Sequence, residues 1–333
     1  MRNTIVHIGL GKTATTTLQI KSFPLIAEFN NLKFFSLKDL LIKYKKKRSD
    51  FITHPLEEID EKLSDINDTL ISSESFIGSY YFNPYYYQEA MEINKRVFGS
   101  DATILITIRK PSELFTSIYL QKIQEGNMIN ENDFFSNVSD ANKFQISSDF
   151  YDKLISLYKD NFDKVLVVKY ESLKTFEFVD KILHITDEQK NFLKKQFKIK
   201  YNRSYSSFSV RTSFMINNFL SFFNIKFSKI NNPLHKLSLT NFKLFNRISA
   251  LFSIRSLLHL IDRSLYNKKH KIDFSKIGFA NVKELDQNYQ LLDDTMLFQN
   301  KKKISLDKIN EQFSEVDKEL SRNKFEESKI NSN

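Results

Sequence analysis

HIGLGKTATTTLQ, His7 to Gln19, decides how the rest of the chain is read. Ile5, Val6 and Ile8 make Asn3–Gly9 a short buried strand, and a helix is expected from about Thr15 onward. Between them lies a loop with Gly9, Gly11 and Lys12, followed by Thr13, Thr15, Thr16 and Thr17. Free N–H groups and the positive end of the helix dipole favour an anion at such a turn. Lys12 adds a point charge and the hydroxyls add donors, so the loop reads as a phosphate site.

Working outward, more strands follow. Leu32–Leu37, Thr69–Ser72, Ala102–Ile108 and Lys164–Lys169 are β-branched or apolar runs. Helical patterns over Gln88–Phe98, from Pro111 and over Phe150–Asn161 separate them, and Tyr80–Tyr87 reads as an aromatic loop. Strands alternating with helices predict an α/β fold of the P-loop type, a central parallel sheet flanked by helices. Such sheets place ligands at the carboxyl ends of their strands. Residues after a strand therefore become candidates: Glu74 in ISSESF, Arg109 in ITIRKP and Tyr170 in VVKYESL.

Composition narrows the chemistry. The 333 residues contain no cysteine and six scattered histidines, which excludes disulfides, thiolate catalysis and cysteine metal centres and predicts no metal cofactor. Met1–Leu10 is too short for a secretory signal, and no apolar run is long enough to span a bilayer, so a cytoplasmic protein is expected. The net charge of +10 is concentrated: residues 198–271 hold 14 Lys or Arg against one acid, Asp262. That excess of +13 leaves the remainder at −3, and it points to an anionic acceptor or a peripheral contact with a membrane surface.

The phosphate loop is not a Walker A loop. Gly11, Lys12 and Thr13 match its end, but its first glycine would fall at Val6, and no strand ends in a magnesium-binding Asp. Gly11-Lys12-Thr13-Ala14-Thr15-Thr16 instead resembles the 5′-phosphosulfate loop of the PAPS-dependent sulfotransferase superfamily, close to P-K-[ST]-G-T-T. Gly11 stands where that loop has Pro, and Ala14 where it has Gly; the Ala14 Cβ would crowd the phosphate if the residue needs a positive φ. Arg109 and Ser117, eight residues apart in ILITIRKPSELFTSIY, are similar to the pair that holds the 3′-phosphate in that superfamily. Tyr170 resembles the tyrosine that approaches the adenine.

The resemblance implies PAPS as nucleotide donor, with Gly11 to Thr17, Arg109, Ser117 and Tyr170 as its binding residues. Lys12 and Glu74 become the candidate catalytic pair, with His54 as a reserve base and His7 as a core residue behind the loop. It implies sulfuryl transfer to a hydroxyl or amine, and Tyr80–Tyr87 suits a carbohydrate or glycolipid acceptor. Three regions are expected: a core over 1–200, a basic aromatic helical region over 201–298 and a charged tail over 299–333. A P-loop kinase and a nucleic-acid-binding protein using 198–271 are the alternatives; no nucleic-acid motif supports the second.

Overall fold

In a computed structural model of the chain, residues 4–44, 54–57, 59, 63, 66–78, 84–140, 149–197, 205–222, 257–258, 260–262, 270–274 and 282–299 are described. By contacts the chain divides into a unit of Met1–Phe298 and a second of Gln299–Asn333. The strands are β1 (Thr4–Gly9), β2 (Lys33–Ser36), β3 (Thr69–Ser73), β4 (Thr103–Ile108), β5 (Lys164–Lys169) and β6 (Thr295–Gln299). They form one sheet in the order β2-β3-β1-β4-β5-β6. The pairs β2–β3, β3–β1, β1–β4 and β4–β5 are all parallel, so these five strands share one carboxyl edge.

The alternation expected of a two-sided buried sheet is present. Val6 and Ile8 of β1, Ile104 and Ile106 of β4 and Val165 and Val167 of β5 enter one core. Ile5, Leu105, Leu166 and Val168 enter the other, under Leu18, Phe23 and Ile26. A strand buried on both faces needs apolar residues at nearly every position, and β1, β4 and β5 supply them.

The helix after β1 is not uniform. α1 (Thr15–Thr17) runs into a π-helical turn, Leu18–Ser22, and then into α2 (Phe23–Phe29). Pro24 has no N–H, and its ring collides with the carbonyl four residues back in a regular α-helix. A widened turn before it absorbs that conflict.

Further helices are α3 (Leu37–Lys43), α4 (Pro84–Phe98), α5 (Pro111–Gln124), α6 (Glu131–Asp140), α7 (Phe150–Lys159), α8 (Asp187–Phe197), α9 (Ser207–Phe222) and α10 (Val282–Leu291). Two expectations are corrected here. The aromatic loop ends early, because Pro84–Tyr87 open α4, and Tyr87 is buried against Phe150 at 5.6 Å; Tyr80–Asn83 lie outside the described residues. Within the region expected to be helical, 201–298, Thr295 opens the strand β6, so residues near 295 return to the sheet.

In the basic region Leu258 joins the core, whereas Leu257 and Leu260 are exposed. Asp262 is buried and accepts hydrogen bonds from the N–H and hydroxyl of Ser206. Residues 223–256 and 263–269 of that region lie outside the described residues, as do residues 300–333 of the charged tail. Among the described residues no helix is long and apolar enough to cross a membrane.

Candidate active site

Four of the five strands at the carboxyl edge lead into candidate residues. β1 leads into the loop Leu10–Ala14, β3 ends at Ser73 just before Glu74, β4 just before Arg109 and β5 just before Tyr170. β3 and β4 flank β1, so the chain crosses over β1 between them, and such a crossing opens a crevice at the carboxyl edge.

The loop is unusual in its backbone. Lys12 has φ 70° and Ala14 has φ 64°. The position where the related loop carries glycine is therefore left-handed, although an alanine occupies it here. Holding a Cβ there costs roughly 1 kcal/mol. Thr13 N–H and Thr13 Oγ1 both donate to the Leu10 carbonyl, at 3.2 and 2.6 Å, closing the turn.

Of the four threonines, Thr13 and Thr15 are buried, while Thr16 and Thr17 are half-buried. Thr15 Oγ1 is buried without a hydrogen-bond partner, an unspent hydroxyl at the start of the helix. With the orphan N–H groups of a first helical turn, this is a donor-rich loop whose needs an anion meets.

Arg109 ties the two motifs together. Its side chain is 8% exposed, and Nη1 donates to the Lys12 carbonyl at 3.0 Å, across 97 residues of sequence. Nε and Nη2 donate to Glu113 Oε2 at 3.3 and 3.0 Å. Its guanidinium carbon lies 4.5 Å from the centre of the Tyr170 ring, a cation–π contact. The loop, Arg109 and Tyr170 therefore form one cluster. Ser117 lies further along α5, half-buried, two turns beyond Arg109.

Glu74 begins a short 3₁₀ turn, Glu74–Ile77, in which Ser73 Oγ accepts from the Ser75 N–H at 3.0 Å. Its side chain is open to solvent on one side and crowded by protein on the others. That crowding raises its carboxyl above the ordinary value, and the nearby Lys12 charge opposes the rise. Lys12 and Glu74 are thus electrostatic neighbours, from elements 62 residues apart.

His54 is unsuited to the reserve role. It is buried, its Nδ1 accepts from the Leu56 N–H at 3.1 Å, and Nε2 pairs with Asn94 at 3.2 Å. Burial lowers its pKa to about 3.

One supporting element gave no sequence signal. α10 packs beside α5, where Asp286 accepts from Ser112 N–H at 2.9 Å and Ser112 Oγ at 2.6 Å and pairs with Lys110 at 3.4 Å. Tyr289 donates to Glu171 at 2.5 Å, and Lys169 donates to the Leu292 carbonyl at 2.6 Å. These bonds brace the ends of β4 and β5. Nothing local in residues 282–294 announces that role, since their partners lie more than 100 residues away.

The parallel sheet and the strand–loop–helix at the end of β1 define the class: an α/β protein with a P-loop-type fold. No protein-family model matches the chain, and no curated protein matches it. Among solved structures it is similar to the crystal structure of a sulfotransferase from Alicyclobacillus acidocaldarius, at 12% identity and a TM-score of 0.32, over 61% of this chain and 84% of that one.

Proposed function

We propose that the chain is a sulfotransferase that takes a sulfuryl group from PAPS and passes it to a hydroxyl of a carbohydrate or glycolipid. The observation that supports this most is the bond from Arg109 to the Lys12 carbonyl, which joins the candidate 5′-phosphosulfate loop and the candidate 3′-phosphate arginine into one cradle. A nucleotide phosphorylated at both ends needs two anion sites a fixed distance apart on one edge, and Arg109 suits the second if phosphate oxygens displace the exposed Glu113 carboxylate that its fork now holds.

Bound PAPS would supply the sulfuryl group and a phosphate leaving group. Lys12 and the loop N–H groups then offset the charge that grows on the leaving oxygen. Glu74 takes the proton of the acceptor hydroxyl as the sulfur–oxygen bond forms; a raised pKa makes a carboxylate a stronger base. Tyr170 stacks on Arg109 and limits where the nucleotide base can lie. Among the described residues no group of His, Cys, Asp or Glu could hold a metal ion, and the proposed chemistry needs none.

The basic residues of 198–271 suit an anionic acceptor, or a lipid-linked one met at a membrane surface from the cytoplasmic side. A magnesium-dependent kinase fits less well, because the Walker glycine would fall at Val6, buried inside β1.

Calorimetric titration with PAP, beside ATP with magnesium, tests the reading. Micromolar PAP binding that disappears in Lys12→Ala and in Arg109→Ala is expected. ATP binding without PAP binding would overturn it.

A further inference from the structure

Beneath the loop runs a chain of hydrogen bonds that no part of the proposed chemistry uses. His7, fully buried in β1, pairs through Nδ1 with Ser72 Oγ at 2.7 Å and through Nε2 with Thr107 Oγ1 at 3.1 Å. Thr107 Oγ1 lies 2.8 Å from Thr13 Oγ1. On the other side Gln19 Nε2 donates to the Ser72 carbonyl at 2.9 Å and to Ser72 Oγ at 3.1 Å. The chain therefore starts on the π-helical turn, crosses β3, β1 and β4 and ends in the loop.

Its proton order follows from its two ends. Leu10 O can only accept, and two oxygens 2.6 Å apart with no proton between them would repel, so Thr13 spends its single hydroxyl proton there. The proton between Thr13 and Thr107 must then come from Thr107. Thr107 has none left for His7, so His7 Nε2 carries a hydrogen and donates it. In a neutral ring Nδ1 is then an acceptor, which takes the Ser72 hydroxyl proton, while Ser72 accepts from Gln19. Each hydroxyl and imidazole proton of the chain then meets one acceptor, and the Gln19 amide donates twice, to the Ser72 carbonyl and Oγ. Burial that pushes the His7 pKa down to about 3, with Phe23 packed on its ring at 4.9 Å, agrees with a neutral imidazole.

We infer that His7 is a positioning residue of the phosphate loop: its Nε2–H turns the hydroxyls of Thr107 and Thr13 inward, which fixes the loop and leaves the ligand to other donors. Thr13 is then no donor to phosphate, although its place in the motif suggests one. The ligand's donors are the loop N–H groups, Lys12 and the half-buried hydroxyls of Thr16 and Thr17. The inference rests on the reading that this loop holds a phosphate.

Two measurements test it. In wild-type protein, two-bond ¹H–¹⁵N imidazole spectra should show His7 as the neutral Nε2–H tautomer throughout pH 5–8. A Nδ1–H tautomer or a charged ring overturns the proton order outright, whatever the protein binds. PAP titration of three variants then reads the consequence. His7→Gln can still present an N–H to Thr107 and should bind within about threefold of wild type. His7→Asn keeps a partner for Ser72 only, and His7→Phe keeps neither; both should lose about tenfold, the value of one buried hydrogen bond, with unchanged circular dichroism. Equal binding by His7→Asn and wild type, or equal loss in His7→Gln and His7→Asn, overturns the inference. If wild type binds no PAP, the sulfotransferase reading fails separately, and inorganic pyrophosphate replaces PAP as the probe of the loop.

Discussion

Gly9 is where the loop is least tolerant of an added atom. It does not need a left-handed backbone, but a Cβ built on it would lie 2.8 Å from Thr107 Oγ1, 2.8 Å from Thr15 Oγ1 and 2.9 Å from Thr13 Oγ1. All three threonines are buried, and two belong to the hydrogen-bond chain, so none can swing aside into solvent. Overpacking of this kind costs about 1–3 kcal/mol. Displacing Thr107 also breaks its bonds to His7 and Thr13, at about 1 kcal/mol each. Gly9→Ala should therefore destabilise by about 3–5 kcal/mol, a fall in melting temperature on the order of 10 °C for a unit of this size. Thr107→Val removes the same two bonds but adds no atom, and should cost only about 2 kcal/mol. Urea unfolding of both variants beside wild type measures the difference. If Gly9→Ala unfolds no more readily than Thr107→Val, the hydroxyls are not packed against Gly9 and the account of the loop is wrong.

Three further outcomes follow from the same geometry. Ala14→Gly removes a Cβ from a residue at φ 64°, and should tighten PAP binding severalfold while changing stability by no more than about 1 kcal/mol; weaker binding would show that the Cβ is not in the way. His7 and His54 have folded pKa values of about 3 against 6.5 unfolded, so below pH 6.5 the unfolded chain takes up protons that the folded chain refuses. Stability should thus fall as pH drops from 6.5 towards 3, by about 2 kcal/mol per histidine at pH 5, and a flat profile between pH 7 and 5 would refute the burial of both rings. Transfer activity should rise with pH as Glu74 loses its proton, with a midpoint above the ordinary glutamate value of 4.5, and Glu74→Gln should abolish transfer while keeping PAP binding. Loss of binding in that variant would make Glu74 a structural residue instead.

The difference between what the sequence announces and what it hides is one of range. β1, the loop and the helix start are contiguous, so Gly11, Lys12 and the threonines could be nominated as an anion site from spacing alone. Glu74, Arg109 and Tyr170 could be nominated because parallel strands end at one edge and each follows a strand. Nothing in the sequence says that Arg109 reaches the Lys12 carbonyl, or that Asp286 braces the start of α5, because those contacts join segments 97 and 174 residues apart.

The hydrogen-bond chain stands between these cases. His7, Ser72 and Thr107 are buried polar residues of three strands, and only His7 stands out in its own strand, because β3 and β4 carry other hydroxyl residues. A buried polar group costs free energy unless it is paired. Three of them in neighbouring strands must therefore pair with one another, and register decides that they do: His7 lies opposite Ser72, and Gly9 opposite Thr107. The absence of a side chain at Gly9 is what lets Thr107 lean across towards Thr13. A loop that is to hold an anion by its backbone, as we propose for Leu10–Ala14, needs support from behind, and a neutral histidine and a missing methyl group give it here.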